Sequence, residues 1–215
     1  MTWLRDHLSD VLTLSLHHIY LAGVPLVLGL LLALPLGWLA RRQRWLYAPI
    51  IVGTGLLYTI PSLALFILLP LVIGTKILDP NNVVIALTIY TVALLARTVA
   101  DGLGAVPDDV NAAATAMGYK RLRRLVSVEL PLAVPVISAG LRVAAVSNVS
   151  IVSVAAIIGV AQLGSLFTDG FNRFFYDPII VGLIACVLLA LLFDVVILTI
   201  TRVLTPWQRA GTAKS

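Results

Sequence analysis

Five long apolar runs divide this chain, at about Ile19–Ala40, Ala48–Ile73, Val83–Ala96, Leu130–Ile158 and Ile179–Thr201. A helix needs about 20 apolar residues to cross the hydrocarbon core of a bilayer, so each run is a candidate span. The third is short and is predicted to continue through Arg97, whose guanidinium would reach the interface. None of the runs alternates apolar with polar residues as barrel strands do, and backbone groups cannot stay unpaired in hydrocarbon. Helices are therefore the expected elements. Ahead of the first run, "TWLRDHLSDVLTLSLHH" spaces Leu4, Leu8 and Val11 at helical intervals with charges between them. That pattern predicts an interfacial helix over 1–18, a membrane-spanning region over 19–201 and a tail over 202–215.

Composition agrees with this pattern. Of the 215 residues 60% are hydrophobic and only 12% charged, with a mean hydropathy of +1.04, whereas soluble domains carry about 25% charged residues. An all-α polytopic membrane protein is expected. Outside the spans, eleven Lys and Arg fall on one side of the five-span layout and three, Arg5, Lys76 and Arg173, on the other. The larger group includes Arg41, Arg42, Arg44, Arg97, Arg202, Arg209 and Lys214. The positive-inside rule puts it in the cytoplasm, so the N-terminus is expected outside and the C-terminus inside. The cations then serve topology, and no nucleic-acid partner is inferred. "RRQR" follows Ile19–Ala40 where a signal peptide would show a small-residue cleavage site, so that run is expected to stay in the mature protein. "GVAQLGSLFTDGFNRFF" carries Asp169 and Arg173 and is expected to form an external re-entrant or surface element rather than a sixth span.

Between the third and fourth runs lies a polar segment, 97–129, expected on the cytoplasmic side. Pro107, Asp108 and Asp109 suit a helix start, alanines follow, and Gly118 suits a left-handed stop. "YKRLRRLVSVEL" then predicts a second short helix leading to Leu130 and Pro131. Two uses suit such a segment: a basic loop held on anionic membrane lipid, or a small-residue knob against which another protein can dock closely.

The segment resembles the signature loop of ABC-transporter permeases, whose usual form is Glu-Ala-Ala, three residues, Gly, and about a dozen residues to Leu-Pro. Ala113, Ala114, Gly118, Leu130 and Pro131 match that form, while Ala112 stands at the glutamate place. The resemblance implies a five-span permease of an ABC importer, with a fold like the methionine permeases, in a bacterial cytoplasmic membrane. It further implies an ATPase-coupling loop that includes Asp109, Ala112, Ala113, Ala114, Gly118, Tyr119, Arg121, Leu130 and Pro131. The implied partners are a second permease subunit, two cytoplasmic ATPase subunits that hold ATP and Mg, and an extracytoplasmic substrate-binding protein. "ELPLAVPVISAGLRVAAVSNVS" and "IIGVAQLGSLFTDG" are similar to the branch that imports osmoprotectants such as glycine betaine, choline and carnitine. A methionine permease and an ion-coupled carrier remain as other readings.

No G-x-x-x-x-G-K-[ST] phosphate loop occurs, so no ATPase site and no cofactor is expected in this chain, and no catalytic residue or metal cluster is recognisable. His17 and His18 are adjacent and would point apart on a helix, which disfavours ligation. Inside the spans stand Arg142 and Asp194. At about 1.5 Å per residue they lie roughly 18 and 12 Å from their helix ends, similar enough in depth to pair. Ser147, Asn148, Ser150 and Ser153 suit either hydrogen bonding between helices or a translocation path, and Pro61 interrupts the second span. No aromatic cage for a quaternary ammonium is visible, which points to selectivity in an external binding protein.

Overall fold

In the computed structural model, residues 2–207 are described, and every regular element among them is helical. Arg209, Lys214 and most of the expected tail lie outside the described residues. Helices α1 (Thr2–Asp6) and α2 (Leu8–Arg42) open the chain. Next come α3 (Arg44–Tyr58), α4 (Ser62–Ile73) and α5 (Pro80–Gly104). A loop helix, α6 (Asp108–Ala116), precedes α7 (Arg121–Arg124), a π-helical turn over Leu125–Glu129 and α8 (Leu130–Val154). Short α9 (Ser165–Asn172) and long α10 (Tyr176–Leu204) complete the fold. Four continuous helical stretches are long and apolar enough to cross a membrane, or five spans if the bent pair α3–α4 is one.

Two expectations change, and a third is sharpened. Residues 8–18 are the first turns of α2 rather than part of a separate interfacial helix; only Thr2–Asp6 stands apart. The charges among Leu4, Leu8 and Val11 suggested a helix lying flat before the first span, but the helical hydrogen bonds run on without a break, with Val11 N–H donating to the His7 carbonyl (3.0 Å). The second span is broken as Pro61 suggested, and far more sharply than a bend: α3 and α4 meet at 104°. Pro61 has φ −59° and ψ 131°, an extended geometry, and the Tyr90 hydroxyl pins the break by donating to the Ile60 carbonyl at 2.5 Å. The segment after Gly159 holds only eight residues of helix, and Val160, Gln162, Leu163 and Gly164 sink into the interior.

Helix α5 is the axis. It starts at a capped turn, with Pro80 at its first position and the Asp79 carboxylate accepting from Asn81 N–H at 2.9 Å. More than half of its apolar window is buried, against α2, α3, α4 and α8. Where α2 crosses it, Gly29, Ala33 and Gly37 form a small-residue stripe at four-residue spacing. This spacing lets two backbones approach and gain dispersion contacts, the main glue between helices in lipid. A Cβ on Gly37 would stand 2.6 Å from Val99 and 2.8 Å from the Ala96 carbonyl oxygen. Gly53 on α3, by contrast, has open space on that side. Gly37→Val is therefore expected to cost about 1–3 kcal/mol by overpacking, read as a lowered melting temperature of the detergent-solubilised protein. Gly53→Ala should leave that temperature unchanged or raise it slightly, because it only removes a flexible residue from a helix.

Candidate coupling loop and intramembrane polar groups

The loop is built from α6 outward. Pro107 stands before its first turn in extended conformation, and Asp108 and Asp109 occupy the positive end of the helix dipole. Its far end closes with a Schellman motif: Gly118 N–H donates to the Thr115 carbonyl at 3.0 Å and Tyr119 N–H to the Ala114 carbonyl at 3.1 Å. Gly118 has φ +83°, the left-handed conformation that side-chain-bearing residues adopt only with strain, although nothing crowds the position. Ala114 is buried, while Ala112, Ala113, Ala116 and Met117 present a small, exposed surface. Asp109 is exposed as well, and its carboxylate accepts from Val110 N–H at 2.9 Å.

The predicted second short helix is not separate. Arg121–Ile158 is one helical stretch, and the break falls at Gly118–Lys120. Pro131 brings no N–H to the ladder and its ring crowds the preceding turn; the helix accommodates this with the π turn, in which Leu130 N–H reaches back to the Leu125 carbonyl. Arg124 ties α6 to this stretch. Its Nε donates to Glu129 at 2.7 Å and its Nη1 to the Thr115 hydroxyl at 2.8 Å. The Arg123 guanidinium lies over the Tyr119 ring, 5.0 Å from its centroid.

Farther along α8, Arg142 meets Asp194 of α10 in a two-pronged ion pair, with Nε to Oδ1 at 2.5 Å and Nη2 to Oδ2 at 2.9 Å. Ser147 shares with this pair an open hollow of about 370 Å³. Asn148 faces the other way. Fully buried, it donates to the Ala22 carbonyl (3.3 Å) and to the Thr91 hydroxyl (3.0 Å), joining α8 to α2 and α5. Ser153 lines a different hollow, of about 810 Å³, with Ile157, Phe167 and Phe171, and its hydroxyl donates to the Ser150 carbonyl at 2.6 Å. Pro61 sits at the α3–α4 break. The five residues grouped by sequence as a path thus occupy several places: one hydrogen-bonds three helices together, one borders the ion pair, one lines the second hollow.

Residues 26–210 match the family described as "Binding-protein-dependent transport system inner membrane component". The chain belongs to this family. Osmoprotectant import permease protein OsmW of Salmonella typhimurium is 32% identical over 207 residues, covering 95% of this chain and 96% of that protein. Glycine betaine/carnitine/choline transport system permease protein OpuCB of Bacillus subtilis is 28% identical over 207 residues, covering 96% and 94%. Among solved structures, an inward-facing form of the MetNI methionine ABC transporter superimposes with a TM-score of 0.83 over 93% of this chain and 98% of that one. At 19% identity that likeness speaks for the fold alone.

One polar centre of this permease was not expected. His18 is fully buried, with Nδ1 3.1 Å from Gln162 Oε1 and Nε2 3.0 Å from the Val149 carbonyl, while the exposed His17 points away. Gln162 in turn accepts from Gly164 N–H and donates to the Ser153 carbonyl at 3.3 Å. This joins α2, α8 and the 159–164 segment. A histidine at the edge of the first apolar run and a glutamine between apolar residues were the available signal, but 144 residues separate them. For the Arg142–Asp194 pair, either single substitution to alanine strands the other charge. The expected result is less assembled protein for Arg142→Ala and for Asp194→Ala, with the double variant losing less than the two singles combined, measured by size-exclusion yield.

Proposed function

We propose that this chain is the membrane-spanning permease subunit of an ATP-driven ABC importer for quaternary ammonium osmoprotectants, of the glycine betaine, choline or carnitine kind. The observation that carries the reading is full-length similarity to permeases bearing those names, at 28–32% identity over more than nine-tenths of the chain for OsmW and OpuCB. The likeness to a methionine transporter supports a shared fold and not a shared substrate.

In this reading the bacterial cytoplasmic membrane holds the chain with its N-terminus outside and its C-terminus inside. The α6 loop is cytoplasmic. Its exposed Ala112, Ala113 and Met117 surface seats in an ATPase subunit, which supplies the ATP and Mg that this chain has no loop to hold. Alanine at position 112 makes that contact one of shape rather than charge. When two ATPase subunits close, the loop moves and the continuous Arg121–Ile158 stretch carries the displacement inward. A second permease subunit, the same chain or a paralogue, completes the path. The partial exposure of the Arg142–Asp194 pair on one flank supports this, because charges are costly against lipid and that flank calls for a protein or water neighbour. Selection of the amine falls to an extracytoplasmic binding protein.

The test is uptake in proteoliposomes with ATPase and binding-protein partners. Uptake of glycine betaine, choline or carnitine should require ATP and the binding protein. Methionine uptake in their place would overturn the substrate, and uptake that collapses with an uncoupler at constant ATP would overturn the mechanism. Gly118→Trp should abolish both uptake and ATPase co-purification, since the left-handed backbone alone costs a non-glycine residue about 1–2 kcal/mol and the indole adds bulk to the docking surface.

A further inference from the structure

Where α2 and α5 end and the loop begins, the helix ends enclose a cavity of about 310 Å³ that the transport reading does not use. Four guanidinium groups border it, those of Arg41, Arg42, Arg121 and Arg124, against two carboxylates, Asp108 and Glu129. Glu129 is taken by Arg124. The Arg42 guanidinium carbon lies over the Trp38 ring, 5.1 Å from its centroid. Arg41 runs along the bare backbone at Gly104, where a Cβ would stand 3.4 Å from its Nε. Among the described residues no carboxylate comes within ion-pair distance of Arg41, Arg42 or Arg121. The cavity therefore carries an excess of positive charge whose donors are uncommitted.

Depth supplies a second observation. The cavity begins where the apolar run of α2 stops at Ala40 and includes Leu103, so it lies at the boundary between hydrocarbon and water, the level of lipid phosphates.

We propose that this cavity binds a phosphate ester anion, its phosphate on Arg41, Arg42 and Arg121. Arginine forks match phosphate oxygens with two N–H groups at once, and Asp108 offers an acceptor for a polyol hydroxyl. A glycerol-bearing phospholipid headgroup and a free phosphate share the anionic part of this chemistry. The site is independent of what the permease carries.

The full chain is placed in phosphatidylcholine nanodiscs containing a minor fraction of phosphatidylglycerol, and lipid retained after release is counted by native mass spectrometry. Phosphatidylglycerol should be retained preferentially. Retention should weaken about 30-fold in Arg41→Gln/Arg121→Gln, since each cation near an anionic headgroup contributes about fivefold, and stay unchanged in Arg173→Gln. Arg42→Gln alone should weaken it about fivefold and guards against a double variant that does not fold. In phosphatidylcholine alone, inorganic phosphate is titrated while the melting temperature is followed. A rise in wild type but not in the double variant, without preferential lipid retention, assigns the site to a free phosphate. Equal retention of both lipids together with no response to phosphate, or retention and response indifferent to the substitutions, overturns the proposal.

Discussion

Two helices in hydrocarbon gain nothing by hiding apolar surface from lipid, so what holds them is close contact. In this permease that contact is α2 on α5, through Gly29, Ala33 and Gly37. Each glycine leaves room for a side chain of α5, Thr91 beneath Gly29 and Val99 beneath Gly37. On α8, Gly140 repeats the device against Thr98. Because α5 is thereby gripped from two sides, Thr91 sits where Asn148 can bond it, and a three-helix polar lock forms within the packed interior. Small residues permit the approach, and the hydrogen bonds made possible by it then hold the register.

Helix α8 extends this core toward the loop. Its helical stretch covers 38 residues from Arg121 to Ile158, about 57 Å at about 1.5 Å per residue. Along that length lie the Arg124 tie to α6, the π turn before Pro131, the ion pair to α10 and the Asn148 lock. A displacement of α6 thus meets no flexible link before the membrane interior except the Gly118–Lys120 break and the π turn.

The outer helices are less committed. α3 has no buried residue, and α10 turns most of its apolar side chains outward, with only Pro178, Gly182, Leu189 and Ile197 buried. Leucines and valines on such faces suit lipid. The flank that carries Arg142 and Asp194 does not, since charges are costly against hydrocarbon.

Several features were legible from residue order because they depend on local chemistry. Apolar run length dictates helices, since no other backbone satisfies its hydrogen bonds in hydrocarbon. Proline and glycine positions marked the α3–α4 break, the start of α6 and the Gly118 stop, and the loop signature identified the family. Charge at depth brought Arg142 and Asp194 to notice as a pair, because an isolated charge there is so costly. Long-range geometry was decided by the tertiary structure. Whether α2 starts at Leu8 or Ile19, how sharply α3 turns into α4, and that the loop's second helix runs on into α8 depend on neighbours and on a π turn that local pattern does not encode. The partners of His18 are the clearest case. Nothing near His18 in sequence requires Gln162; the two meet because α2, α8 and the 159–164 segment pack together, and a buried imidazole must find its hydrogen bonds wherever packing brings an oxygen within reach.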